Sequence, residues 1–289
     1  MSLFEAIILG IIQGVTEFLP ISSTGHLTLA GKLMDLIGQP NHLISLDNPE
    51  HWTAFMAVVQ LGTLAAVFIY FLKDIINIIA SFLKENLKER KSFKSQSLDS
   101  RLGWLIIIGT VPVVIIGLSF KHLIEGSLTK NLWVISGSLI ILAVILFIAE
   151  KTAKFKKEIK DITIKDAIVI GIAQSLALIP GSSRSGTTIT GGLFMGLKRE
   201  SAARFSFLLS IPAVFASGLL ELKESLPYIH GEMLVNLIVS TVIAGICGYL
   251  AIDFLLKFLK KNTTYVFIAY RIILGLIILT LLFNNIIKP

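Results

Sequence analysis

A carboxylate, three hydroxyls and an imidazole fall within the ten residues "EFLPISSTGH" at 17–26: Glu17, Ser22, Ser23, Thr24 and His26. Those groups suit proton transfer, attack by an activated hydroxyl and binding of an oxyanion. Much later, "PGSSRSGTT" at 180–188 places Arg184 among Ser182, Ser183, Ser185, Thr187 and Thr188. A guanidinium keeps its charge, and its forked donors match phosphate geometry. Gly181 and Gly186 let backbone approach an oxyanion closely. The lysine of a nucleotide P-loop is missing, so ATP chemistry is not implied.

Both stretches interrupt apolar sequence, where charge is costly unless paired, solvated or employed. Glu17 reads as a proton acceptor, or as a ligand for a divalent cation that bridges phosphate oxygens. Gln13, one turn earlier, offers its amide oxygen to the same cation or makes a helix-packing hydrogen bond like Gln174. One of the three hydroxyls is expected to cap a helix. His26 reads as a general acid/base or a phosphate nucleophile. Asp253 and Arg271 fall near span ends beside Lys257 and Lys261, where snorkelling to the interface or a mutual pair accounts for them. Glu5, His42, His51, His122 and His230 lie at span edges or in loops and are given no role.

The elements that must position these groups follow from hydropathy. Of 289 residues 54% are hydrophobic and 16% charged, with a mean hydropathy of +0.81. The fold class is an all-α polytopic membrane protein in a single integral membrane domain, 1–289. Six spans are expected at about 52–72, 103–120, 132–149, 203–220, 234–256 and 265–287. Residues 3–12 and 167–179 are too short to cross. Each runs into a Pro-containing polar loop and a second short arm, 27–37 or 187–197, so each is expected to be a re-entrant helical hairpin bordering a wet pocket.

"AIILGIIQ" (6–13) and "AIVIGIAQ" (167–174) match at five of eight positions, and "PISSTG" (20–25) answers "PGSSRSG" (180–186). The chain therefore reads as two repeats, about 1–150 and 160–289. Lys and Arg crowd into 73–101, 151–165 and 257–261, which assigns those segments to the cytoplasm and both termini to the outside. That orientation inverts the repeats, so the helix starts near Thr24 and Ser185 should face each other near the midplane and form an anion site. A basic stretch around 74–90 suits an interfacial amphipathic helix. No cleavable signal peptide is expected at the N-terminus, and Cys247 is a lone cysteine within an apolar run. The net charge of +7 belongs to loops beside spans, so nucleic acid is not an expected partner. The same architecture would serve an inverted-repeat carrier or flippase for a phosphorylated polyprenyl lipid or anion, which is the alternative reading.

"QGVTEFLPISSTGH" with "PGSSRSGTT" resembles the undecaprenyl-diphosphate phosphatase family of bacteria, also called the bacitracin-resistance protein family, over essentially the whole chain. The resemblance implies a plasma-membrane enzyme that hydrolyses a polyprenyl diphosphate lipid to the monophosphate and inorganic phosphate, recycling the carrier of cell-wall synthesis. It also implies a divalent cation, Mg²⁺ or Ca²⁺, and a homodimer is the expected assembly. Carried over by position, the family's acidic motif falls on Gln13 and Glu17, its serine–histidine element on Ser22, Ser23, Thr24 and His26, and its arginine motif on Ser183, Arg184 and Thr188. The resemblance implies catalytic roles for Glu17, Ser23, His26 and Arg184. Ser22, Thr24, Gly181, Ser183, Ser185, Gly186 and Thr188 are the expected phosphate ligands. Many relatives have glutamate where this chain has Gln13, which weakens any scheme that needs two carboxylates on the metal.

Overall fold

The computed structural model describes residues 2–37, 49–120, 131–226 and 231–288. Among them the chain is helical, with one isolated backbone bridge between Lys157 and Leu197. In chain order the helices are α1 (Leu3–Phe18), α2 (Ser23–Ile37), α3 (Pro49–Tyr70), α4 (Leu72–Leu83), α5 (Leu98–Ser119), α6 (Leu132–Thr152), α7 (Ile164–Ser175), α8 (Arg184–Phe194), α9 (Arg199–Ser225), α10 (Glu232–Lys261) and α11 (Tyr265–Phe283). His42, His122 and His230, and most of the two loops expected outside, lie beyond the described residues.

Among the described residues five helices are long and apolar enough to cross a membrane: α5, α6, α9, α10 and α11. The sixth expected span, 52–72, is α3, which turns by 72° into α4 at Phe71. Leu72, Ile76, Ile79 and Leu83 remain exposed on one side of α4, the stripe expected of a helix lying along an interface. The short helices stay short for local reasons. At 1.5 Å per residue α1 reaches roughly 24 Å and α7 roughly 18 Å, less than a ~30 Å hydrocarbon core. Pro20 and Pro180 follow their ends, and a proline cannot continue the helical hydrogen bonding.

Small residues bring these short helices against long ones. A Cβ on Gly171 of α7 would strike the carbonyl oxygen of Gly109 on α5, and one on Gly14 of α1 would lie 2.5 Å from the Cβ of Cys247 on α10. Close backbone approach of this kind is how helices associate where apolar burial gives little advantage over lipid.

The basic segments gather on one face. Arg101 donates to the Lys160 carbonyl at 3.4 Å, Lys260 pairs with Glu200 at 3.2 Å and Arg204 with Asp74 at 2.7 Å. Buried Glu150 is held there by Arg199 and by Thr264 Oγ1 at 2.9 Å. On the same face the Ser97 backbone N–H donates to Glu85 and holds its carboxyl below the usual range. Asp253 pairs with Lys257 at 2.7 Å and accepts from Tyr70, in keeping with an interfacial position.

Candidate functional site

The two polar loops are built on one backbone plan. Ser22 and Ser183 both adopt positive φ, 76° and 67°, which side chains other than glycine rarely do. Each then caps the helix it precedes: Ser22 Oγ accepts from the Gly25 N–H and Ser183 Oγ from the Gly186 N–H, both at 3.2 Å. A strained serine at a loop end signals that the surrounding contacts impose the conformation.

Those contacts join the loops directly. Arg184, at the first position of α8, donates from Nη2 to Glu17 Oε1 at 2.7 Å. Ser185 Oγ donates to the Leu19 carbonyl at 3.0 Å. Glu17 was expected in the first loop. It stands instead in the last turn of α1, because the helix runs on to Phe18 with Gln13 Nε2 donating to Glu17 Oε2 at 3.2 Å one turn away. Ser23 Oγ donates to the same Oε2 at 2.6 Å. Glu17 therefore bridges a hydroxyl and a guanidinium while only 8% exposed.

His26 is turned away from that group. Its Nδ1 lies 2.6 Å from the Ser22 carbonyl, an acceptor, so Nδ1 carries the proton. Nε2, 2.6 Å from the Tyr270 hydroxyl, then accepts. The two rings also stack, with centroids 5.5 Å apart. Both nitrogens are thus committed, and neither reaches Ser23.

Arg271 departs from expectation. Rather than snorkelling from α11 or pairing with Asp253, it has 0% exposure. It donates from Nη2 to the Ser182 carbonyl at 2.9 Å and from Nε to that of Leu139 at 3.2 Å. Longer bonds run to Pro20 and Gly181. One guanidinium thereby ties both loop backbones to α6. The sequence shows only a charge near a span end; that the loops descend to meet it is a tertiary fact.

A cavity of about 470 Å³ opens over these groups. Its floor is Glu17, Ser22, Ser23, Thr24, Gly181, Ser182, Ser183 and Arg184, and its walls include Met56 of α3, Val113, Val114 and Leu118 of α5, and Val214 and Leu220 of α9. The α5 and α9 wall residues sit in the halves of those helices remote from the basic face. Gln174 also lines the cavity. It is 1% exposed, and neither atom of its amide has a hydrogen-bond partner among the described residues, contrary to the helix-packing bond expected of it. Ser182 Oγ and Arg184 Nη1 are likewise buried without partners among the described residues.

Of the other expected phosphate ligands, Ser185, Gly186 and Thr188 are buried and do not line the cavity. Thr188 Oγ1 bonds Ser206 and the Arg184 carbonyl, fixing α8 against α9. No group of three or more His, Cys, Asp or Glu side chains that could hold a metal occurs among the described residues. Glu17 has Oε1 on Arg184 and Oε2 on Ser23 and Gln13. Among the described residues, the carboxylate expected to hold a divalent cation is thus already committed to the chain's own donors.

Comparison with known proteins gives a consistent result. The family model described as Bacitracin resistance protein BacA matches residues 6–277. A protein of Syntrophobacter fumaroxidans named undecaprenyl-diphosphatase is 54% identical over 99% of both chains. Proteins of the same name from Chloroherpeton thalassium and Myxococcus xanthus are 51% and 48% identical, covering 98% and 100% of this chain and 97% and 92% of their own lengths.

Proposed function

The chain belongs to the bacitracin resistance protein BacA family, and from that premise we propose that it hydrolyses undecaprenyl diphosphate to undecaprenyl phosphate and inorganic phosphate in a bacterial plasma membrane. One observation carries the assignment to this site: Glu17 joins the Ser23 hydroxyl and the Arg184 guanidinium at the floor of an apolar-walled cavity. The floor suits a diphosphate and the walls suit the first isoprene units. Exposed Val114, Leu118 and Leu220 offer the rest of the tail a path into lipid.

The terminal phosphoryl group binds Arg184 through the free Nη1, while Nη2 keeps Glu17 in place. Glu17 takes the proton of the attacking hydroxyl, that of Ser23 or of a water at the same carboxylate. As the new P–O bond forms, the bond to the bridging oxygen breaks and undecaprenyl phosphate leaves. If Ser23 attacks, water then hydrolyses the phosphoserine. With both ring nitrogens occupied, His26 acts as a positioning residue that holds the Ser22 carbonyl and hence the start of α2. A divalent cation, Mg²⁺ or Ca²⁺, would reach the site with the diphosphate and would supply charge neutralisation there.

The two hairpins are proposed to be inverted repeats that dip in from opposite faces. Matching positive φ at Ser22 and Ser183, matching caps and the meeting of the loops support this. With the basic face in the cytoplasm the cavity opens outward and both termini lie outside. A homodimer remains part of the proposal. The deciding experiment is phosphate release from a C15 or C55 prenyl diphosphate by purified protein in detergent. Release that is lost in Arg184→Ala and Glu17→Gln supports the reading, and no release with any divalent cation refutes it.

A further inference from the structure

The repeat places Gln13 and Gln174 at equivalent positions, yet their surroundings differ in one respect. Gln13 Nε2 donates to Glu17, four residues on. Four residues after Gln174 stands Leu178, which has no oxygen to offer from its side chain. The Gln174 amide is consequently buried, 1% exposed, lines the cavity and bonds to nothing among the described residues. Burying an unpaired amide costs about 1–3 kcal/mol, so an apolar residue would suit this position better unless a ligand completes it. Both ends of the amide lack a partner, so either orientation of the group can present its donors.

We propose that Gln174 is a substrate-binding residue, its amide N–H donating to a non-bridging oxygen of the bound diphosphate in the place that Glu17 fills for Gln13. Ser182 Oγ and Arg184 Nη1, also buried, unpartnered and lining the cavity, complete a three-point cradle for the same anion. The carbonyl end of the amide accepts from a protonated phosphate oxygen, the one kind of phosphate oxygen able to donate. Gln174 holds the ground state, so its loss appears mainly in KM. This inference rests on the proposed diphosphate substrate.

The test compares the full-length protein with Gln174→Leu and Gln174→Glu in detergent, using a C15 prenyl diphosphate. Two readouts are taken: kcat and KM from phosphate release, and the rise in Tm on adding the diphosphate. In Gln174→Leu, KM rises about tenfold, the loss expected for one hydrogen bond to a charged group, with kcat within threefold. Its Tm without ligand equals or exceeds that of the unaltered protein, and its ligand-induced rise shrinks. Gln174→Glu, which sets a carboxylate against the phosphate, loses more in KM and in the ligand-induced rise. A merely structural glutamine would instead lower the ligand-free Tm in both variants and leave KM and the rise unchanged, which overturns the inference. If the unaltered protein is shifted by the diphosphate but releases no phosphate, the enzyme reading fails, and the inference stands or falls on whether the variants lose the shift. If it is not shifted at all, the inference fails.

Discussion

The two hairpins share a backbone and differ in what they leave unbonded. In the first, Glu17 is satisfied by Gln13, Ser23 and Arg184, and His26 by the Ser22 carbonyl and Tyr270. In the second, the Gln174 amide, the Ser182 hydroxyl and one arm of Arg184 have no partner among the described residues, while Thr187, Thr188 and Thr190 are buried and return their hydroxyls to α8's own carbonyls. A satisfied carboxylate bonded to a hydroxyl is equipped to move a proton. Unsatisfied donors gathered at the cavity from α7, the loop and the start of α8 are equipped to receive an anion. On the proposed mechanism the first hairpin handles the proton and the second holds the anion, and the two differ at one pair of positions four residues after the matching glutamines, Glu17 against Leu178.

The most severe break in this comparison is Arg184, which serves both halves. Arg184→Ala removes the only charge on the anion side of the cavity floor among the described residues and strands Glu17. Phosphate release should fall by about 10³-fold or more. Arg184→Lys should not recover it, because a lysine cannot hold Glu17 with one nitrogen and offer a second to phosphate. Recovery by lysine to within tenfold would refute the forked arrangement.

Within the first half the comparison sharpens to Glu17 against His26. Glu17→Gln keeps the size and loses the base, so kcat should drop by about 10²-fold or more, and Tm should fall as the Arg184 pair is broken. His26→Gln can still bond the Ser22 carbonyl and should cost under about tenfold. Steady-state kinetics on the pair decides it. A larger loss at His26 than at Glu17 would mean that the ring leaves Tyr270 to join the reaction.

Much of this was legible in the sequence. Hydropathy located the spans because lipid demands about 20 apolar residues of a helix. Chemically expensive residues located the loops, since Arg184 and Glu17 have few reasons to sit among apolar arms. That the two loops meet was legible from the repeat, but which side chains pair across distant segments was not. Gln174 resembled a packing residue because its spacing equals that of Gln13, and only the tertiary fold shows that the expected partner is missing. Arg271 and Tyr270 are adjacent on α11 and act on loops some 90 to 250 residues away, a relation with no local periodicity.

Arg271 tests whether the halves are aligned from outside themselves. Arg271→Met fills much of the volume and removes a buried charge, but it leaves the Pro20 and Ser182 carbonyls without their donor. A stability loss of about 2 kcal/mol is expected, read as a lowered Tm in detergent. Activity should fall with KM rising, because both loops shift. Unchanged KM in a folded Arg271→Met protein would show that each hairpin holds its own loop.

The smallest effects belong to the feature the hairpins share. Glycine at Ser22 or Ser183 relieves a positive φ worth about 1 kcal/mol, gives up a cap that glycine replaces at a cost of a few tenths, and loosens the unfolded chain by about 0.5–1 kcal/mol. These terms nearly cancel, so Ser→Gly should move Tm little at either position. Alanine keeps the strain and loses the cap, costing about 1 kcal/mol. Ser183→Ala should cost slightly more than Ser22→Ala, since Ser183 Oγ also bonds Ser185 Oγ at 3.2 Å. The order expected from Tm is therefore glycine above alanine at both positions, with each Ser183 variant slightly below its Ser22 counterpart. If alanine proved as stable as glycine, the serine backbone would be relaxed when the cap is gone, and the matched strain would follow from the cap rather than from the loops being pressed together.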